Sequence, residues 1–445
     1  NTVTPDEIRI KDKDIHAFLE VFDDAKPFGE GPLSGKTIAI KDNILFEGHR
    51  ASAGSKILEN FTAPYDATVV KKLKDAGAII VGRTNMDEFA MGSSTENSAY
   101  GVTKNPYDNS RVSGGTSGGS AAAVASGMVD MAIGSDTGGS IRQPAAFCGV
   151  IGLKPTYGRV SRYGLIADVS SFDQIGPIGR TIKDVETLYN VIRGQDPMDS
   201  TTISEDTYQE NKKFNKTIGI PKAFVESEGV SDEVKNNFKQ TVEKFKSLGY
   251  SIKEIDLPSL KLALPVYYII MPAEASSNLA RFDGVKYGLH KDGENSIDDY
   301  FETRAIGFGK EVRRRIILGT YVLSSGYYDE YYSKALAARK LITKELRELF
   351  EKVDLMLTPT TPSPAWKVGE KSNNPLEMYL EDIFTVHANI SGCPAISLPS
   401  GFADPRYAKG SGEASKLPLG IELTANLGRE DNLFAAGKDF LGERA

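Results

Sequence analysis

Two glycine clusters, each carrying a hydroxyl, stand in one stretch of the chain, SGGTSGGSAAAVASGMVDMAIGSDTGGSIR at Ser113–Arg142: Gly114-Gly115-Thr116-Ser117 and Gly138-Gly139-Ser140. Glycine tolerates positive φ and close backbone approach, so such loops can converge several N–H groups on one pocket. A hydroxyl beside converging donors is the arrangement for acyl transfer, in which the hydroxyl attacks a carbonyl and the N–H groups hold the oxyanion. Either cluster alone reads as an ordinary tight turn. Together they frame a small-residue segment, Ser120–Ser126, and an apolar run, Val129–Ile133. That pattern predicts a helix followed by a strand, with chemistry at the loops on either side.

The clusters differ in what surrounds them. Gly115-Thr116-Ser117-Gly118-Gly119 matches G-x-S-x-G, the nucleophile elbow of α/β-hydrolases, with His290 or His387 to complete it. Such an elbow directly follows a strand, whereas Asn105–Val112 is polar and reads as a loop. No Lys-Ser/Thr pair follows the glycines, which excludes a P-loop. Ser140 instead follows the apolar run through Gly134-Ser135-Asp136-Thr137, and Arg142 stands where it can pair with Asp136.

A nucleophilic hydroxyl needs a base, and the chain has only four histidines, none spaced to another like a zinc pair. A lysine can serve if it is neutral, which requires its pKa to fall from about 10.4 by desolvation or nearby positive charge. Lys41 is the candidate. In Gly35–Asn43, Ile38 and Ile40 alternate with smaller residues as in a strand, which puts Lys41 at the strand's end on the face opposite Ile40.

The elements that must position these groups follow from periodicity. A short helix is predicted over Ile15–Asp23, and Asp66 is predicted to cap a helix carrying Val69, Val70 and Leu73, followed by a strand at Ala78–Val81. The same helix–strand order recurs as Ser231–Leu248 with Ser251–Ile255, and as Tyr327–Lys352 with Leu355–Thr358. Alternation of this kind predicts an α/β sandwich around a mainly parallel sheet. The stretches 196–215 and 401–416 read as surface excursions, and charge runs such as Glu311–Arg315 as solvated helix faces.

With 445 residues the chain has room for one large domain or two to three ordinary ones. Its 53 Lys+Arg against 60 Asp+Glu give a net charge of −7, which argues against a broad nucleic-acid footprint. No apolar run approaches the roughly 20 residues of a membrane span. Cys148 and Cys393 read as buried free thiols. The start at Asn1 shows no apolar signal segment, and the expected compartment is the cytoplasm.

Taken together, residues 113–155, ending IGSDTGGSIRQPAAFCGVIGLKP, and AIKDN at 39–43 resemble the amidase signature family. The resemblance implies one domain over 1–445, a large α/β/α sandwich around a mixed, mainly parallel sheet, and a Ser–cis-Ser–Lys triad. Carried over, Ser140 is the nucleophile and Lys41 the terminal base. The bridging hydroxyl falls on Thr116, where the family usually has serine, with Ser117 as a neighbouring hydroxyl for relay or substrate. The N–H groups of Thr137, Gly138 and Gly139 form the oxyanion hole.

Further stretches, Met86–Tyr100, Ser170–Gly176, Glu274–Tyr287, Gly307–Tyr328 and Met378–Pro394, are similar to the glutamine-hydrolysing branch that serves tRNA-dependent amidotransferases. That likeness implies glutamine as amide donor, bound by Tyr268, Arg315 and Asp382. It implies no cofactor in this chain and no membrane. It further implies a heterotrimer with B and C subunits, in which the B subunit uses ATP and Mg²⁺ on misacylated Glu-tRNA(Gln) or Asp-tRNA(Asn). A free-standing amidase and a non-catalytic scaffold are the competing expectations.

Overall fold

Thirteen strands are formed among the residues that the computed structural model describes, 3–208, 213–403 and 416–443. In chain order they are β1 (Phe18–Val21), β2 (Thr37–Lys41), β3 (Ile79–Thr84), β4 (Lys104–Asn105), β5 (Asp108–Val112), β6 (Met131–Asp136) and β7 (Ile151–Lys154). They continue as β8 (Gln174–Gly179), β9 (Thr217–Ile220), β10 (Ser251–Glu254), β11 (Leu355–Pro359), β12 (Ala395–Phe402) and β13 (Pro418–Ala425). Eleven of them build one sheet in the order β1-β3-β2-β6-β8-β7-β12-β13-β11-β9-β10, and β4 and β5 form a separate hairpin.

The sheet is buried on both faces, as single strands show. In β11, Leu355 and Leu357 join one apolar core and Met356 another. In β2, Ile38 and Ile40 pack with Val69, Val70 and Leu73, while Ala39 joins Ala121 and Ala122 on the other side. Period-2 alternation between two covered faces is the signature of a three-layer sandwich.

Parallel pairing, however, is confined to the flanks. β3, β2 and β6 run parallel, as do β11, β9 and β10, whereas every neighbour pair from β6 through β8, β7, β12 and β13 to β11 is antiparallel. The sheet is mixed as expected, but antiparallel pairs outnumber parallel ones, which corrects only the expectation that it is mainly parallel. Helical crossovers, such as Thr68–Asp75 between β2 and β3, produce the parallel flanks. β8 inserts between β6 and β7 and reverses direction, which makes the centre antiparallel.

Other elements also depart from the pattern. The helix expected over Ile15–Asp23 lies earlier, at Pro5–Asp12, started by a capping box of Thr4 and Glu7. His16, at φ 59°, breaks the helix, and the Asp12 carboxylate accepts the N–H groups of Ala17 and Phe18, releasing the chain into β1. Asp66 caps nothing; it accepts the Glu47 N–H and pairs with Lys74, and the helix begins without a side-chain cap. The helix expected from Tyr327 opens instead with a π turn at Tyr328–Ser333 before the α-helix Lys334–Phe350. The wider turn accompanies a tilted contact of the Tyr327 and Tyr321 rings, 4.3 Å between centroids. Asn105–Val112 is the β4–β5 hairpin, not a loop.

Of the predicted excursions, 209–212 and 404–415 lie outside the described residues. Asp196, in the first excursion, is buried and accepts the hydroxyls of Thr68 and Ser161.

Candidate active site

Lys41 ends β2, a strand paired on both sides, so its side chain is fixed by ladders rather than by a loop. It is fully buried. Its ammonium nitrogen donates to Thr116 Oγ1 at 2.7 Å, to Ser135 Oγ at 2.9 Å and to the Ser135 carbonyl at 3.3 Å. Burial pushes the amine down to about 7, against the opposing pull of Asp87, Asp136, Asp168 and Asp173.

Thr116 follows a cis peptide bond from Gly115. The loop around it is tied from three directions. Gly115 N–H donates to Gln143 Oε1 at 2.9 Å, whose amide in turn donates to the Ser93 carbonyl. Asp87 N–H donates to the Thr116 carbonyl at 3.3 Å. Ser117 N–H donates to the Ser140 carbonyl at 3.0 Å and so stitches the two glycine clusters together. The Ser117 hydroxyl is turned away to the Ser135 carbonyl, 3.1 Å off.

Ser140 sits one turn beyond β6 and keeps a little exposure, 6 %. Among the described residues no hydrogen bond engages its hydroxyl. The glycines before it are sterically required. A Cβ on Gly138 would lie 2.5 Å from the Tyr267 ring, and Gly139 sits at φ +129°. The Gly139 N–H donates to Asp136 at 3.0 Å, which commits one of the three N–H groups expected to face an oxyanion. Thr137 donates its hydroxyl to Asp173, and Thr385 donates to the Gly138 carbonyl.

Tyr268, Arg315 and Asp382 come together. The Tyr268 hydroxyl donates to Asp382 at 2.5 Å, and the Ser93 hydroxyl donates to the same carboxylate at 3.3 Å. The Arg315 guanidinium lies over the rings of Tyr268 and Tyr379, 5.5 and 5.1 Å from their centroids, and pairs with Glu311 at 2.8 Å. Arg315 is 2 % exposed, which corrects the expectation of a solvated charge run. Burial pushes the Asp382 carboxyl up to about 7, against the Tyr268 bond and Arg315. Tyr267, beside Tyr268 and against Gly138, joins this group to the Ser140 loop. A cavity of about 390 Å³, lined in part by Ser94, Arg315 and Tyr379, adjoins the group.

The elbow alternative loses its base. His387 is buried against Thr424, its imidazole pushed down to about 3 by burial, and His290 is exposed and bound to Asp292.

Likeness to known proteins extends over almost the whole chain. Residues 19–434 match the amidase family. The chain belongs to that family. It is 56% identical over 379 residues to the A subunit of the glutamyl-tRNA(Gln) amidotransferase of Carboxydothermus hydrogenoformans, covering 84% of this chain and 78% of that protein. The protein of the same name from Pseudothermotoga lettingae is 49% identical over 439 residues, 98% of this chain and 91% of its own. The crystal structure of the corresponding A subunit of glutamyl-tRNA(Gln) amidotransferase from Thermotoga maritima superposes with a TM-score of 0.81 at 41% identity, covering 99% of this chain and 91% of that one.

Several residues that shape this amidase site escape sequence reasoning. Ser135 receives Lys41, and Asn43 donates to the same hydroxyl at 3.0 Å. Asp87 accepts the N–H groups of Thr95 and Asn97, and a Cβ on Gly115 would lie 2.2 Å from its carboxylate. Tyr379 stacks on Tyr268. The available signal for Asp87 and Tyr379 is their place in the stretches Met86–Tyr100 and Met378–Pro394; Ser135 has none beyond its position before Asp136.

Arg142 and Asp136 form the amidase loop's anchor. Both are fully buried and 2.9 Å apart, and Arg142 also reaches Glu422 at 3.0 Å. Asp136 accepts from Gly139 N–H, Ile141 N–H, Asn389 and two Arg142 nitrogens. Burial raises its pKa, yet Arg142 overrides this and holds the carboxyl well below the usual carboxylate range. Asp136→Ala would remove one of the two buried carboxylates that pair with Arg142, leaving Glu422, and would strand the Gly139 and Ile141 N–H groups. Chemical denaturation should show a loss of about 3–5 kcal/mol, the usual cost of breaking a buried pair.

Proposed function

We propose that this amidase is the glutamine-hydrolysing subunit of a tRNA-dependent amidotransferase, with Ser140, Thr116 and Lys41 as its reacting groups. The observation that carries the chemistry is the buried 2.7 Å contact between Lys41 Nζ and Thr116 Oγ1, with the amine pushed down to about 7. A lysine that is half neutral near neutral pH can accept a proton, which an ordinary lysine cannot. The high identity to amidotransferase A subunits over nearly the full chain supports the biological setting.

In this reaction the Ser140 hydroxyl attacks the side-chain carbonyl of glutamine. Its proton passes to Thr116 Oγ1 as the Thr116 proton passes to Lys41. The N–H groups of Thr137 and Gly138, with Gly139 N–H held by Asp136, hold the oxyanion that forms. Lys41 returns the proton through Thr116 to the leaving nitrogen, and ammonia departs. Water, deprotonated by the same relay, then hydrolyses the glutamyl ester to glutamate and frees Ser140. Arg315 pairs with the α-carboxylate of glutamine, Asp382 takes its α-ammonium, and Tyr268 holds Asp382 in place. Ammonia passes to a B subunit, which uses ATP and Mg²⁺ to amidate Glu-tRNA(Gln) or Asp-tRNA(Asn), with a C subunit completing a cytoplasmic heterotrimer.

The test is ammonia release from glutamine by the isolated chain and by the chain with its B and C subunits, ATP and misacylated tRNA. Weak activity alone that rises at least about tenfold in the complex is expected, the gain of roughly 1.4 kcal/mol typical of coupled sites. Full activity alone, unchanged by partners, would make this a free-standing amidase. Within the site, Asp382→Ala should raise KM for glutamine at least about tenfold while kcat changes less, because a charge-assisted contact is lost in substrate and transition state alike. A normal KM would remove Asp382 from substrate recognition.

A further inference from the structure

Glu88 is a buried carboxylate, 2 % exposed, that no step of the reaction uses. Its Oε2 accepts the Gly309 N–H at 2.7 Å, across 221 residues of chain. Its Oε1 accepts the Ser55 hydroxyl at 2.5 Å, and the same hydroxyl lies 3.2 Å from the Gly307 carbonyl. The Phe89 ring, next along, meets the Phe308 ring edge-on, 5.7 Å between centroids. Residues 88 and 89 thus clamp the corner Gly307-Phe308-Gly309. A Cβ on Gly309 would lie 2.4 Å from Glu88 Oε2, so glycine is what lets the carboxylate close in.

That corner starts the helix Lys310–Leu323, which has no side-chain cap of its own. The first N–H groups of a helix lack partners within it, and a carboxylate there takes up a donor and suits the helix dipole. The turn that Glu88 holds carries Glu311. The Glu311 carboxylate accepts from Arg315 Nε at 2.8 Å and from the Tyr379 hydroxyl at 2.7 Å. Arg315 Nη1 meets Met271 Sδ at 3.5 Å, and the side chain lines the cavity beside the site. The turn around Glu88 is fixed to the relay as well, since the Asp87 N–H donates to the Thr116 carbonyl. Phe89 and Ala90 hold positive φ, 49° and 59°. Left-handed backbone at two residues that are not glycine persists only where the surroundings impose it.

We propose that Glu88 is a positioning residue for glutamine: by capping the helix Lys310–Leu323 it sets Arg315, through Glu311, in a fixed place relative to the Thr116 loop. This rests on the reading of Arg315 as the partner of the substrate α-carboxylate. A guanidinium grips a carboxylate through two parallel N–H bonds, which demands a fixed orientation. The anchor for that orientation lies in a turn that also holds the relay loop, so recognition and chemistry share one reference point.

The experiment measures ammonia release from L-glutamine and from 4-aminobutanamide, the same amide without the carboxylate, by the chain in complex with its partner subunits. Glu88→Ala should raise KM for glutamine about fivefold or more, the factor set by losing one helix cap, with kcat within about threefold. Its kcat/KM for 4-aminobutanamide should stay within about twofold, because that substrate offers Arg315 nothing to hold. Glu88→Gln, which keeps an oxygen for the Gly309 N–H, should restore the wild-type KM. In an Arg315→Gln background Glu88→Ala should add less than about twofold to KM, since the two residues act in series. Should Glu88→Ala not fold, Gly309→Ala displaces the carboxylate instead and should give the same split between the two amides. Equal losses on both amides, an unchanged KM for glutamine, or full additivity with Arg315→Gln overturns the assignment. Arg315→Gln with a normal KM for glutamine sinks the reading of Arg315 itself, and this assignment with it.

Discussion

Ser140→Ala should abolish ammonia release from glutamine, lowering kcat at least about a thousandfold, while leaving the fold and glutamine binding intact. The size follows from what is removed: without the hydroxyl no acyl-enzyme forms, and the remaining rate comes from binding and oxyanion contacts alone. The Ser140 hydroxyl has no hydrogen bond among the described residues, so its loss leaves no buried partner stranded. Thermal unfolding should therefore change little. Ser117→Ala provides the contrast. Its hydroxyl donates to the Ser135 carbonyl inside the protein, so the variant should lose about 1 kcal/mol of stability and keep most of its activity. A reversal of the two outcomes, with Ser117→Ala inactive and Ser140→Ala active, would move the nucleophile to the first glycine cluster. A pulse of labelled glutamine, trapped in acid, should leave a glutamyl ester on the wild type and none on Ser140→Ala.

The parts of this site that are legible in the sequence are those made by neighbours along the chain. Glycines, a hydroxyl and an apolar strand stand together at Val129–Ser140, and the turn they predict follows β6 as expected. The pairing of Asp136 with Arg142 is likewise a matter of six residues. The contact of Lys41 with Thr116 spans 75 residues, and no local pattern contains it; alternation gives the face of Lys41, and only the family resemblance gives its counterpart. The sheet order is illegible for a related reason. Apolar alternation is the same in a parallel and an antiparallel neighbour, so the insertion of β8 between β6 and β7 leaves no trace in β6 itself.

Lys41→Met should reduce kcat for glutamine hydrolysis by about a hundredfold to ten-thousandfold, the usual contribution of a general base. Methionine is close to lysine in length and is apolar, which suits a fully buried position, so the loss would report chemistry rather than collapse of the strand. The wild-type pH profile supplies the independent check. The amine is pushed down to about 7 by burial, and only its neutral form can take the proton that Thr116 passes on. As pH falls through 7, the lysine becomes protonated, and kcat should drop tenfold per unit. Above it, kcat should level off. Glutamine binding has its own dependence on the same side. Asp382 is also pushed up to about 7 and must be ionised to hold an ammonium group, so KM should rise in acid. The profile of kcat/KM should then fall more steeply than tenfold per unit below pH 7, while that of kcat keeps the single slope of the lysine. In Asp382→Asn the steeper component should vanish and the kcat profile should remain. In Lys41→Met the residual kcat should lose its dependence on pH across this range. A wild-type kcat that is flat between pH 6 and pH 8 would show that Lys41 is not the group that accepts the proton.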